Sequence, residues 1–185
     1  MSNKRFTVAL LTILFLAAGV SADDVTASKA ADAVRLLTVG NSFARNATRY
    51  LPDLAQAGGP ELIHRSLVVG GSSLQLHAEK MQRCEQDPTD KAGLYVNGSS
   101  LQQELAAQRW DFVTIQQVSM RSHNVETYRP YASLLAACIR KHAPSAKLMM
   151  HQTWAYRRDD PRFAVKSPKP GEPATQQAMY EGLCS

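Results

Sequence analysis

The chain has 185 residues, which is enough for one domain with a substantial core but not for two. Its net charge is +5, and the basic residues are scattered rather than grouped in a patch that could follow a nucleic-acid backbone. The three cysteines are far apart and fit neither a disulfide framework nor a zinc site. The sequence therefore predicts no nucleic-acid partner and no metal ion or other cofactor.

Residues 1–22 have the pattern of a signal peptide. Lys4 and Arg5 form a short basic start, an apolar run follows, and small residues ending at Ala22 provide a cleavage site. The alternative is an uncleaved membrane anchor, which needs about 20 apolar residues. We predict cleavage after Ala22, a secreted or periplasmic location, no membrane attachment after cleavage, and a polar leader over residues 23–33.

Apolar runs alternate with helical patterns over the rest of the chain. The apolar runs predict four strands, over residues 34–39, 62–69, 111–117 and 146–151. The helical patterns predict helices over residues 46–57, 72–84, 100–109, 126–142 and 174–184, with a proline-rich loop over 157–173. Alternating strands and helices, with nearly continuous apolar strands, predict an α/β fold with a parallel sheet.

Each predicted strand ends in polar residues. Because the carboxyl ends of parallel strands meet at one edge of the sheet, this edge is where such folds place their sites. The four ends are Gly40-Asn41-Ser42, Gly-Gly-Ser-Ser at 70–73, Gln-Gln-Val-Ser at 116–119 and His-Gln-Thr-Trp at 151–154. We therefore expect hydrogen-bonding groups from all four to converge.

Ester hydrolysis is one reaction that such groups can perform. It needs a nucleophile, a base and donors for the developing oxyanion. Ser42 is either the nucleophile or only the cap of the following helix. Gly71 either offers an unhindered backbone N–H or simply makes a tight turn. Gln116 or Gln117 either donates a side-chain N–H or is a solvated residue at a strand end.

Three stretches carry a resemblance to a known family. GNSF after the first strand, GGSSL after the second, and WDFVTIQQVS over the third resemble the SGNH (GDSL-like) hydrolases. More narrowly, they resemble a bacterial branch of exported proteins with GNSF in place of GDS. The resemblance covers residues 34–185 and implies a flavodoxin-like three-layer α/β/α sandwich with a parallel sheet. The implied activity is hydrolysis of an ester, often an acetyl group on a carbohydrate.

The resemblance also implies roles for individual residues. Ser42 would be the nucleophile, and the N–H groups of Ser42 and Gly71 would form the oxyanion hole. The family's third donor, an Asn, falls here on Gln117. The remaining candidates for the substrate pocket, which would take a small-molecule or carbohydrate ester, are Asn41, His77, Gln116 and His151. On their positions alone, His77 is expected to be a partly exposed helix residue and His151 a hydrogen-bonded residue at a strand end.

One part of the family pattern is not found in this sequence. The family takes its base from an Asp-x-x-His block after the last strand. The nearest pattern here, Glu61-Leu-Ile-His64, begins the second strand, away from Ser42, and we interpret it as coincidence. The resemblance thus implies a domain that lacks its last strand, its last helix and its base. The alternatives to an esterase are a carbohydrate-binding protein without catalysis and an inactive fragment.

Overall fold

Four parallel strands form the sheet. The computed structural model describes residues 33–164 and 173–184, so the predicted signal peptide and nearly all of the predicted leader lie outside the described residues. The strands are β1 (Val34–Gly40), β2 (Leu62–Val68), β3 (Phe112–Ile115) and β4 (Lys147–Met150). Their order is β2-β1-β3-β4, and every neighbouring pair is parallel. The predicted α/β fold with a parallel sheet is confirmed.

Helices flank this sheet. They are α1 (Ser42–Ala47), α2 (Leu51–Gly58), α3 (Leu74–Gln86), α4 (Leu101–Ala106), α5 (Tyr131–His142) and α6 (Gln176–Cys184). Single 3-10 turns lie at Lys91–Gly93, Val125–Tyr128 and Pro161–Ala164. Among the described residues, no helix has the length and apolarity needed to cross a membrane.

The boundaries of two predicted helices are wrong. The segment 46–57 forms two helices, α1 and α2, because Pro52 lacks an N–H and is accommodated only in the first turn of α2. The first of these begins already at Ser42. The segment 126–142 is helical only from Tyr131, after Pro130, and a 3-10 turn precedes that proline. By contrast, α4 begins close to its predicted start with a capping box, in which the Ser100 hydroxyl accepts the N–H of Gln103 and the Gln103 side chain accepts the N–H of Ser100.

The core lies between the sheet and helices α3, α4 and α5. It contains these buried side chains: Leu37, Val39, Val113 and Ile115 of the sheet, Leu74, Ala78 and Met81 of α3, Leu101 and Leu105 of α4, and Leu135, Cys138 and Ile139 of α5. Trp110 is fully buried beside them, and its indole N–H donates to the carbonyl of Glu104. Cys138 lies in this core, and its burial raises the pKa of its thiol to about 11.

The strand order decides where a site can form. β1 has β2 on one side and β3 on the other, so the residues that follow β1 are flanked by the ends of both neighbours. β4 pairs with β3, and the backbone N–H of His151, just beyond β4, donates to the carbonyl of Ile115. All four strands therefore deliver their following residues to one edge of the sheet.

Candidate functional site

The turn from β1 into α1 is built around Gly40. A Cβ atom at this position would lie 2.9 Å from the Cβ of Ala44 and 3.0 Å from Oε1 of Gln116. Glycine therefore lets α1 and the Gln116 side chain approach the end of β1 closely. This close approach fixes where the next two residues, Asn41 and Ser42, leave the sheet.

Asn41, not Ser42, caps α1. The buried Asn41 side chain accepts the backbone N–H of Phe43 at 3.0 Å through Oδ1. Ser42 is the first residue of the helix, is exposed, and its hydroxyl has no hydrogen-bond partner among the described residues. The interpretation of Ser42 as the helix cap is therefore wrong, and its hydroxyl is available to a ligand.

A hydrogen bond joins the loops that follow β1 and β2. Nδ2 of Asn41 donates to the carbonyl of Ser72 at 2.9 Å, so the chain neighbours Ser42 and Gly71 flank this contact. Gly71 is exposed and has a φ of +67°, a conformation that glycine adopts without strain. Within the described part of the chain, the backbone N–H groups of Ser42 and Gly71 have no acceptor. Two unpaired donors therefore lie at adjacent loops.

Gln116 braces the start of α1 from the end of β3. It is fully buried, and its Oε1 accepts the N–H of Ala44 at 3.1 Å and, more weakly, that of Asn41 at 3.4 Å. Because these two donors require the amide oxygen, Nε2 of Gln116 must be the atom that faces Nδ1 of His151, at 3.3 Å. Nδ1 of His151 is then an acceptor.

The protonation state of His151 follows from that contact. When Nδ1 accepts a hydrogen bond, a neutral imidazole carries its proton on Nε2. Burial lowers the pKa of His151, which favours the neutral ring. In this tautomer His151 can donate a hydrogen bond through Nε2 but has no lone pair there to take a proton from a serine.

Gln117 is engaged inside the fold. Its Oε1 accepts the N–H groups of Leu74 and Val118, at 3.2 and 2.8 Å. Its Nε2 donates to the carbonyl and the hydroxyl of Thr127, at 2.8 and 3.2 Å. Gln117 thus joins the start of α3 to the loop after β3, and its amide hydrogens point toward Thr127. Its role as the third oxyanion donor stays a prediction.

His77 lies beneath the Gly71 turn, and the expectation that it is partly exposed is wrong. It is 0% exposed because α3 packs this face onto the end of β1. Nε2 contacts Oγ of Ser72 at 2.8 Å and the carbonyl of Gly40 at 3.2 Å, while Nδ1 contacts the Tyr95 hydroxyl at 2.8 Å. Burial, with a smaller effect of Lys80, lowers the pKa of His77 to about 4.

The Ser72 hydroxyl and the His77 ring are within hydrogen-bond distance, as a serine nucleophile and its base are, but both side chains are buried. Ser72 is only 3% exposed, and its hydroxyl donates to the carbonyl of Gly40 at 3.0 Å. Because the Ser72 hydroxyl proton is donated to Gly40, the Ser72 oxygen can only accept from His77, which must carry its proton on Nε2. The other ring nitrogen, Nδ1, then accepts a hydrogen bond from the Tyr95 hydroxyl. This closed network holds the turn that presents the Gly71 N–H.

An aromatic cluster beside Ser42 was missed by the sequence analysis. The ring of Trp154, 49% exposed, packs on Phe43 with centroids 4.5 Å apart, and Tyr156 meets Phe43 edge-on at 6.2 Å. The buried Tyr156 hydroxyl is hydrogen-bonded to Oγ of Ser119, which ties the loop after β4 to the loop after β3. The sequence signal that could have predicted this cluster is the pair of aromatic residues, Trp154 and Tyr156, shortly after the fourth strand.

A cavity of about 410 Å³ opens at the α1 side of Ser42. It is lined by Ser42, Arg45, Asn46 and Arg49. Within the described residues, no three side chains of the His, Cys, Asp or Glu type are grouped so that they could hold a metal ion. The site therefore offers a hydroxyl, backbone N–H donors, an imidazole N–H, an aromatic face and two guanidinium groups.

Comparison with known proteins assigns the chain to a family. The family model for DUF4886, a domain of unknown function, matches residues 35–181. The crystal structure of a DUF4886 family protein from Bacteroides uniformis is similar, with 27% sequence identity and a TM-score of 0.65 over 82% of this chain. This chain covers 60% of that protein's chain. Comparison with curated proteins gives no match. The chain belongs to the DUF4886 family.

Proposed function

We propose that this domain is an exported serine esterase of the SGNH type, with a flavodoxin-like three-layer fold, that acts on an acyl or acetyl group of a carbohydrate. The observation that carries the proposal is the arrangement at Ser42. Its hydroxyl is exposed and unpaired, and the unpaired N–H groups of Ser42 and Gly71 lie at two loops joined by the Asn41–Ser72 hydrogen bond. A nucleophile next to preorganised donors is the core requirement of acyl transfer.

The proposed reaction follows from these groups. Oγ of Ser42 attacks the ester carbonyl, and the oxygen that becomes negative accepts the N–H groups of Ser42 and Gly71. The alcohol leaves, and water then releases the acyl group from Ser42. Neither His77, which is buried, nor His151, which carries its proton on Nε2, can take the serine proton, so this proton passes through solvent water to the alcohol that leaves.

The tautomer of His151 with its proton on Nε2, which cannot act as a base toward Ser42, favours a second candidate function. A site with a weakly activated serine, unpaired donors and an exposed aromatic face would bind a carbohydrate without hydrolysing it. Serine hydroxyls are poor nucleophiles when no base is adjacent. Labelling of Ser42 therefore separates the two functions.

We expect a fluorophosphonate probe to label Ser42, and Ser42→Ala to abolish the labelling. The donors beside Ser42 stabilise the negative charge that develops on the probe, so Ser42 should react before the other exposed serines, and slowly because no histidine takes its proton. The matched control is Ser145→Ala, which removes an exposed hydroxyl just before β4, at the opposite edge of the sheet. Peptide mapping by mass spectrometry identifies the labelled residue. Labelling that survives in Ser42→Ala contradicts the assignment, and absence of labelling in a folded, carbohydrate-binding chain favours the second function.

The carbohydrate part of the proposal rests on Trp154. Its half-exposed ring, held by Phe43 next to Ser42, offers an apolar face on which the apolar face of a sugar can stack. We expect Trp154→Ala to weaken the binding of an acetylated oligosaccharide about fivefold, since an aromatic stacking contact contributes about 1 kcal/mol. Calorimetry measures the affinity. Tyr180→Ala, which removes an exposed aromatic ring on α6, is the control, and an equal loss in both variants contradicts a role for Trp154 in binding.

A further inference from the structure

The cavity beside Ser42 has a basic lining. Arg45 and Asn46 follow Ser42 by three and four residues, so all three share one face of α1, and Arg49 lies in the turn after the helix. No acidic residue lines this cavity of about 410 Å³. Any ligand that places an ester at Ser42 and extends into the cavity therefore meets two guanidinium groups.

Both guanidinium groups are available to a ligand. In the described part of the chain, neither Arg45 nor Arg49 has a carboxylate within ion-pair distance, and the same is true of Arg35, Arg121, Arg140 and Arg158. What distinguishes Arg45 and Arg49 is that both line the cavity beside Ser42. Arg49 lies over the exposed ring of Tyr50, with its guanidinium carbon 5.3 Å from the ring centre. Stabilisation of the α1 dipole would account for Arg45 in the last turn of the helix, but Arg49 lies beyond the helix.

Arg45 also lines a second cavity, of about 360 Å³. The other residues of this cavity are Ser66, Val68, Tyr95, Val96 and Asn97. This lining is also free of acidic residues. Arg45 therefore stands between the space beside Ser42 and a second space next to β2.

We propose that the substrate held at Ser42 carries an anionic oxygen group, of the carboxylate, sulfate or phosphate kind, and that Arg45 and Arg49 bind it. Guanidinium groups pair with such oxygens through two parallel N–H donors, which gives both affinity and orientation. The placement of the ester at Ser42 rests on the proposed function. The binding of the anion by the two arginines has its own test, because it does not require turnover.

The test compares two trisaccharides that carry no ester, mannuronate and mannose, which differ by the carboxylate on each sugar. Calorimetry on the full chain is expected to show at least about tenfold tighter binding of the mannuronate form, a preference that one charge-assisted pair can supply. Arg45→Gln and Arg49→Gln should each reduce that preference about five- to tenfold. About 0.5 M NaCl should reduce it as well, because the guanidinium groups are exposed to solvent.

Arg109→Gln is the matched control. It removes the same charge from an exposed side chain just before β3, at the opposite edge of the sheet. Equal binding of the two sugars, or an equal loss in Arg109→Gln and Arg45→Gln, overturns the proposal. Competition by inorganic sulfate and by inorganic phosphate distinguishes the kinds of anion. If Ser42→Ala keeps the preference for mannuronate, the anion site is supported even where the esterase assay fails. The binding test therefore separates a failure of the anion site from a failure of the proposed esterase function.

Discussion

The free energy of unfolding is expected to fall by about 3 kcal/mol between pH 7.5 and pH 4, with His77 as the principal cause. The pKa of this buried histidine is about 4 in the folded protein, against 6.5 for an ordinary histidine. Between these values the unfolded chain binds a proton that the folded chain does not, so stability decreases as the pH falls. Each pKa unit corresponds to about 1.4 kcal/mol. The contribution of His77 becomes constant only well above pH 6.5 and well below pH 4.

Other titrating groups leave this assignment intact. Burial also lowers the pKa of three further histidines, His64, His123 and His151, and these act in the same direction with smaller shifts. The pKa of Asp160, held at about 2 by its hydrogen bonds and charge interaction with Arg162, changes stability only at lower pH. Histidines therefore dominate between pH 6.5 and 4.

Urea unfolding at several pH values measures the effect. We expect His77→Gln to remove most of the pH dependence, because glutamine can still hydrogen-bond Ser72 or Tyr95 but has no proton to gain. His64→Gln is the control. His64 is a half-buried histidine of β2 that contacts the Thr38 hydroxyl, and its loss should leave most of the pH dependence in place. An unchanged slope in a folded His77→Gln variant contradicts the assignment.

The second large effect is expected at Gln116. We expect Gln116→Glu to raise the pKa of His151 by about one to three units, since a carboxylate within hydrogen-bond distance favours the imidazolium. The new carboxylate accepts the N–H groups of Ala44 and Asn41 as the amide oxygen did. Its second oxygen then requires a proton on Nδ1 of His151, which reverses the tautomer and frees a lone pair on Nε2 of the neutral ring.

NMR titration of the His151 ring measures both changes, through its pKa and its nitrogen chemical shifts. The chain itself offers the matched control, Gln117→Glu, in which the neighbouring glutamine contacts Leu74, Val118 and Thr127 rather than a histidine. We expect no comparable change of His151 in that variant. If a folded Gln116→Glu protein keeps the wild-type pKa of His151, the Gln116–His151 contact is not as described.

The layout of the site was predictable to the extent that it follows from strand ends. Apolar runs locate the strands, and parallel strands bring their ends to one edge. The predictions therefore placed Asn41, Gly71, Gln116 and His151 at that edge without any knowledge of their contacts. The helix boundaries near Ser42 were missed because Pro52 divides the predicted segment and because the Asn41 side chain, rather than an apolar pattern, decides where α1 begins.

The roles of the two glutamines were beyond the reach of sequence patterns. Gln116 reaches partners 72 and 75 residues away, and a side-chain amide can donate, accept or do both. The two adjacent glutamines cannot be told apart in the sequence, yet Gln116 contacts His151 and Gln117 contacts Thr127. The hydrogen bond of the buried His77 ring likewise goes to a residue of a later loop, the Tyr95 hydroxyl, 18 residues along the chain. Long-range hydrogen bonds, rather than local propensities, distinguish these residues.

The central position of β1 has a consequence for the newly made chain. β1 leaves the ribosome early, but its second neighbour, β3, begins only at Phe112, after residues 69–111 have been added. At a translation rate of roughly 5 to 20 residues per second, one edge of β1 therefore remains unpaired for several seconds. During that interval the nascent chain exposes the apolar surface and the unpaired edge of an incomplete sheet made of β1 and β2. Such partly folded chains aggregate readily and are bound by chaperones. Slower translation between β2 and β3 would prolong this exposure.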